Sequence, residues 1–205
     1  MRNKQKDIIR LEGISVILDE IQPKYFPYVI KWRNDKELNK FLNQPVDLTM
    51  ESQTKWYEEK YLKDDAQGFM VMVDKRTDIP FGTIGWTELD KKKRICIMGR
   101  LILGNSDYKN SPAFLESFFV LSDYIYSFVD TVYIQLDPNN KKACRLNKRF
   151  GFVPNEGIIQ YPHALIVESE PDRKQIEHYR TKEMYQVVRK KLFEDIKEEL
   201  FSEYR

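Results

Sequence analysis

The sequence predicts an α/β fold (α+β by some schemes): a mixed, mostly antiparallel sheet with one parallel pair around a central strand–helix–strand unit, followed by a C-terminal helix. Three observations predict it. Strand-like runs at residues 68–75, 81–89 and 95–103 are separated by the short polar turns "RTDIP" and "DKKKR", the pattern of an antiparallel meander. "SPAFLESFFVLSDYIYSFV" then sets apolar residues at 114, 118, 121, 125 and 129 behind Ser111 as N-cap and Pro112 at the first helical position, which reads as a buried helix. "TVYIQL" follows as a strand, and a strand reached through a crossover helix lies parallel to the one before it.

The remaining elements follow in order. "GISVILDEI" carries β-branched and apolar residues at 14, 16 and 18 and predicts a first strand. From Pro23, the residues Tyr25, Phe26, Val29, Ile30 and Trp32 fall at helical intervals, and Pro27 fits only if it lies in the first turn. Asn34 or Asp35 caps a short helix with Leu38, Phe41 and Leu42 on one face, and Thr49 caps a third helix that buries Trp56. In "DPNNKKACRLNKRFGF", Asn139 or Asn140 caps a short helix with Ala143, Leu146 and Phe150 facing inward. Gly151 supplies the left-handed residue after it, and Phe152 re-enters the core. "GIIQYP", "HALIV" and "KQIEHYR" read as strand fragments. Thr181 caps a long charged helix with Met184, Val188, Leu192, Ile196 and Leu200 four apart, packed on its own domain or on a second subunit.

Composition narrows the function classes. A chain of 205 residues, 41% hydrophobic and without a Pro/Gly/Ser-rich linker, is expected to form one core. Thirty-four basic and 32 acidic residues are interspersed and leave +2, which speaks against a nucleic-acid-binding domain. With no secretory signal and no apolar run long enough for a bilayer, a cytoplasmic protein with two reduced thiols, Cys96 and Cys144, is expected. His163 and His178 stand apart from each other and from the cysteines, so no metal site is indicated.

Three stretches carry a family resemblance. Trp32-Arg33-Asn34-Asp35 after the opening strand and helix, the "G-x-I-G" of Gly82 and Gly85, and Asn140…Ala143…Gly151-Phe152 resemble, in that order over residues 8–157, the GNAT superfamily of acyl-CoA-dependent N-acyltransferases. The branch they resemble includes the ribosomal-protein alanine and amino-sugar acetyltransferases. The resemblance implies a GNAT-like domain over residues 1–180 with the helix of 181–205 appended. It implies acetyl-CoA or another acyl-CoA as co-substrate, and a primary amine of a small molecule, amino sugar or protein N-terminus as acceptor. It also implies roles: Asn140 and Ala143 against the pantetheine arm, the strand of Leu101, Ile102 and Leu103 offering amides to the thioester oxygen, and Trp32 and Arg33 on the acceptor side.

The sequence departs from the family in two places. The pyrophosphate loop, Arg/Gln-x-x-Gly-x-Gly/Ala, aligns with "KNSPAF", so Pro112 stands for the first glycine and Phe114 for the small residue. Proline has no N–H to donate, which leaves Lys109, Asn110, Ser111 and Ala113 to hold the diphosphate. Asn147 occupies the position of a tyrosine that protonates the leaving thiolate in many members, and an amide is no general acid. Glu88 at the end of "GWTEL" is the candidate general base. Two readings stay open: an acyltransferase, and a GNAT-fold binding or regulatory module with weak or lost catalysis.

Overall fold

The structure, a computed structural model, describes residues 8–42, 47–167, 170 and 172–203. It begins with strands β1 (Arg10–Glu12) and β2 (Val16–Glu20), a 3-10 turn at Pro23–Tyr25, and helices α1 (Phe26–Asn34), α2 (Lys36–Asn39) and α3 (Met50–Glu59). The meander is β3 (Gly68–Asp74), β4 (Pro80–Asp90) and β5 (Ile95–Leu103). Helix α4 (Pro112–Ile125) leads to β6 (Thr131–Leu136), and α5 (Lys141–Arg149) to β7 (Val153–Pro154). Strand β8 (Ile176–Thr181) and helix α6 (Lys182–Glu203) end the chain.

The described strands form one eight-stranded sheet in the order β1-β2-β3-β4-β5-β6-β8-β7. Every neighbouring pair is antiparallel except β5–β6. That exception is the crossover expected from the strand–helix–strand order.

Strands β2 and β3 are buried at every position because helices cover both faces of the sheet. Val16, Leu18, Met70 and Met72 join Phe118 and Leu121 of α4 in one apolar layer. Ile17, Val71 and Val73 join Phe26 and Val29 of α1 and Tyr61 in the other.

The caps agree with local chemistry. Asp35 accepts from Glu37 and Leu38 N–H, Thr49 and Ser52 form a reciprocal capping box, and Pro27 lies in the first turn of α1. Helix α5 is capped by Asn140, whose Oδ1 accepts from Ala143 N at 3.1 Å, and it ends at Gly151 with φ +81°. Phe150 then stacks on Phe118 at 4.4 Å. Thr181 Oγ1 accepts from Met184 N at 3.3 Å, and α6 lays Tyr185, Leu192, Ile196 and Leu200 into the main core.

Residues 157–167 differ from expectation. They form irregular chain and a 3-10 turn at Pro162–Leu165 instead of strands. Pro162 has no N–H for a ladder, and the amides of Gln160 and Tyr161 are taken by the buried Glu177 carboxylate at 2.9 and 3.0 Å. "KQIEHYR" does supply a strand, β8.

Candidate active site

The site is made by a strand that changes register. From Ile95 to Ile97, β5 pairs in parallel with Thr131 to Tyr133, and there the pairing stops. Strand β6 continues to Leu136 on its other edge, held by six residues of β8. On the far side, β4 and β5 slip: Gly85 faces Gly99 but Thr83 faces Ile102, so β5 carries one extra residue. Arg100 takes up that residue at φ +55°, and Thr83 Oγ1 donates to its carbonyl at 2.6 Å. A bulge bends its strand and strengthens the twist. Here it turns β5 away from β6 and opens a wedge between them. The glycines of "G-x-I-G" sit opposite: a Cβ on Gly82 would stand 2.3 Å from the Ile102 carbonyl, and one on Gly85 2.2 Å from that of Gly68.

The wedge is a cleft of about 210 Å³ bordered by Gly99, Leu101, Phe118, Asn140, Ala143 and Asn147. Asn147 is 8% exposed, and its Nδ2 donates to the Ala143 carbonyl at 2.9 Å. Apart from its chain neighbours, none of the described residues lies within 4 Å of where a Cβ of Gly99 would be, so the wedge is clear there. At its mouth, Arg173 Nε meets Asp137 at 2.8 Å while its other nitrogens reach the Lys40 and Phe41 carbonyls at 3.5 and 2.5 Å. That contact ties the end of β6 to the chain after α2.

On the α1–α3 side lies a larger cavity of about 700 Å³, bordered by Arg33, Gln53, Trp56, Glu88, Gln135 and His163. Arg100 and Gln135 border both spaces, so the two meet across the gap between β5 and β6. The Arg100 guanidinium donates to Gln67 and lies over the rings of Phe69 and Trp56 at 4.9 and 5.5 Å. Burial pulls its pKa down to about 10, with the positive charge of Arg33 acting in the same direction, so it stays a cation at neutral pH. Burial also lowers the pKa of Arg33.

Of the residues singled out from the sequence, Leu101, Asn140, Ala143 and Asn147 come together around the wedge, and Arg33 and Glu88 around the larger cavity. Ile102 is buried beside the bulge, and Leu103 packs on the main core. Lys109, Asn110, Ser111 and Ala113 gather at the start of α4. There Ser111 Oγ accepts from Phe114 N at 3.1 Å and Asn110 adopts φ +63°. The Phe114 ring packs edge-on against Phe118 at 5.4 Å within the core. Trp32 borders neither space; it is 5% exposed, packed on Tyr28 and hard against Gly104.

Glu88 stands at φ +55° where β4 and β5 slip a second time. Its side chain is 48% exposed and lies 3.4 Å from His163 Nε2. Sequence reasoning did not single out Gln53, Arg100, Gln135 or the closeness of His163 to Glu88. For Arg100 a signal existed: a glycine and a charge inside "ICIMGRLIL" mark a bulge in an otherwise apolar strand. His163 is distant in sequence and gave none.

Among the described residues, no three potential metal-ligating side chains come together, and no helix is long and apolar enough to cross a membrane. Residues 15–153 match the family model described as the acetyltransferase (GNAT) domain. None of the curated proteins compared with the chain matches it. The fold is similar to that of a probable GNAT-family acetyltransferase from Chromobacterium violaceum, with TM-score 0.73 and 14% identity over 89% of this chain and 90% of that one. It is similar also to an apo nucleotide-linked sugar GNAT, with TM-score 0.68 and 14% identity over 90% and 96%. A third similar structure is spermidine N-acetyltransferase from Vibrio cholerae in complex with CoA and spermine, with TM-score 0.68 and 13% identity over 85% and 99%. A family model that spans residues 15–153, on a sheet opened between its parallel strands, shows that this chain belongs to the GNAT acetyltransferase family.

Proposed function

We propose that the protein transfers an acetyl or other acyl group from acyl-CoA to a primary amine of a small molecule, an amino sugar or a protein N-terminus. One observation carries this reading: the wedge between β5 and β6 meets a second cavity at Arg100 and Gln135, which gives donor and acceptor separate approaches to one point.

The residues present fit acyl-CoA. The wedge is open at Gly99, and the ring of Phe114 is turned into the core instead of into the crevice. Pro112 has no N–H and Ala113 is buried in the core, yet the amide of the exposed Asn110 bonds no group among the described residues and is left for a diphosphate, beside the Lys109 charge. Asn140 and Ala143 border the wedge where the pantetheine arm would run. Acyl-CoA would supply the activated carbonyl as a thioester, whose C–S bond is exchanged for the amide C–N bond so that coenzyme A departs as the free thiol.

The chain's own contribution is positioning and polarity. Past Ile97, β5 has no strand partner on its β6 edge among the described residues, and backbone N–H groups on that edge would hold charge developing on the carbonyl oxygen. Glu88, with His163 beside it, borders the acceptor cavity and takes the proton of the incoming ammonium, directly or through one water. Asn147 offers only an amide already given to Ala143, so the proton for the sulfur comes from solvent.

The test is release of free thiol from acetyl-CoA by the full chain across a panel of primary amines. Amine-dependent release above the hydrolytic background is expected. Tight acetyl-CoA binding without release on any amine would instead favour a binding module.

A further inference from the structure

The acceptor cavity has an unusual donor balance. Three nitrogens at its wall, Gln53 Nε2, Arg100 Nε and Gln135 Nε2, are buried with no hydrogen-bond partner among the described residues. Gln53 is only 3% exposed. Buried polar groups in folded proteins are nearly always paired, so three orphans on one wall ask for a partner from outside the chain. Arg100 is the most telling of them: a guanidinium has donors only, so no reassignment of its atoms repairs the deficit. No carboxylate among the described residues lies within ion-pair distance of Arg100; its charge is held by Gln67 and two aromatic faces. Arg33 adds a second positive charge to the lining, and among the described residues the one carboxylate of the lining, Glu88, stands at the exposed rim beside His163.

From this we infer that the acceptor amine carries an anionic group, a carboxylate or a phosphate, that docks on Arg100 between Gln53 and Gln135. The inference rests on reading this cavity as the acceptor side and deepens that reading by naming the substrate class. A planar carboxylate or a phosphate oxygen accepts several N–H bonds at once and brings the opposite charge. A polyamine brings neither, and its cations would face Arg33 and Arg100. A site built from unfilled donors also rejects ligands that cannot fill them, so discrimination should be steep.

The experiment follows the indole N–H resonance of Trp56, one of three tryptophans, assigned with Trp56→Phe and lying beside the Arg100 guanidinium. The full chain is titrated with inorganic phosphate and, separately, with acetate, at ionic strength held constant with chloride. A saturable shift with either anion is expected in the wild type. Arg100→Gln and Gln53→Leu, each checked for retained Trp32 and Trp86 resonances, should weaken it at least tenfold. The anion that binds more tightly identifies the group as phosphate or carboxylate. In thiol release, glucosamine 6-phosphate or β-alanine should exceed glucosamine or propylamine at least tenfold in kcat/KM. The inference is overturned if neither anion saturates, if both variants bind as the wild type does, or if spermidine is the preferred acceptor. Acetyl-CoA binding is measured separately, so a failure of the transfer reading and a failure of the anion reading give different results.

Discussion

Glu116 is 5% exposed, and its carboxylate faces the chain between β1 and β2. It accepts N–H bonds from Ile14 at 2.7 Å, Ser15 at 2.7 Å and Val16 at 3.2 Å, and the Ser15 hydroxyl at 2.6 Å. Glu116→Gln turns one acceptor into a donor among donors. It should cost about 1–3 kcal/mol of stability, seen as a lower urea midpoint with an unchanged slope; an unchanged midpoint would deny the carboxylate its structural role. Cys96 makes a second residue-scale prediction. Burial pushes its pKa up to about 12, so at pH 8 it is a thiol, not a thiolate. Iodoacetamide should therefore label at most Cys144 in the native protein at pH 8 and both cysteines after denaturation, as counted by mass spectrometry. Glu88 is tested by function: Glu88→Gln should lower kcat about 10²-fold at pH 7 with acetyl-CoA affinity unchanged, and full activity would remove it as the base.

At the scale of elements, the bulge in β5 decides the architecture of the site. Gly99 leaves its centre empty, so Gly99→Leu should keep the melting temperature within about 2 °C while abolishing thiol release. A variant with wild-type turnover would show that the acyl donor does not pass Gly99. This element also shows how far the sequence could be read. The strand over 95–103, the crossover helix with Ser111 and Pro112 at its start, and a cap at Asn139 or Asn140, which the structure gives to Asn140, followed by Gly151 at φ +81°, are local matters of periodicity and capping, and all were legible. The union of Arg100, Gln53 and Gln135 was not, because it depends on three elements meeting at a register slip that no local pattern encodes. The irregular course of 157–167 was missed for a related reason. Glu177, many residues away, takes the amides that a strand would have used.

At the scale of the whole molecule, α6 completes the main core. Tyr185, Leu192, Ile196 and Leu200 are all under 9% exposed, and the Tyr185 hydroxyl donates to Asp123 of α4 at 2.6 Å. Beneath them Arg180 is fully buried. It bonds Ser122 at 2.7 Å and the Phe150 carbonyl at 2.8 Å, under the rings of Phe152 and Tyr185 at 4.4 and 4.6 Å. Each of those apolar side chains is worth about 1.5–3 kcal/mol when buried. Removing residues 182–205 should thus abolish cooperative thermal unfolding, while a truncated chain with the wild-type transition would show that α6 is dispensable to the core.

The core in turn holds α4 and α5 on either side of the wedge, and the whole account depends on what the wedge accepts. Calorimetric titration of the full chain with acetyl-CoA tests that most directly. The account predicts saturable one-to-one binding in the micromolar range, through the Asn110 amide, the Lys109 charge and the opening at Gly99. An absence of binding heat across temperatures, for acetyl-CoA and for longer acyl-CoA thioesters alike, would contradict it.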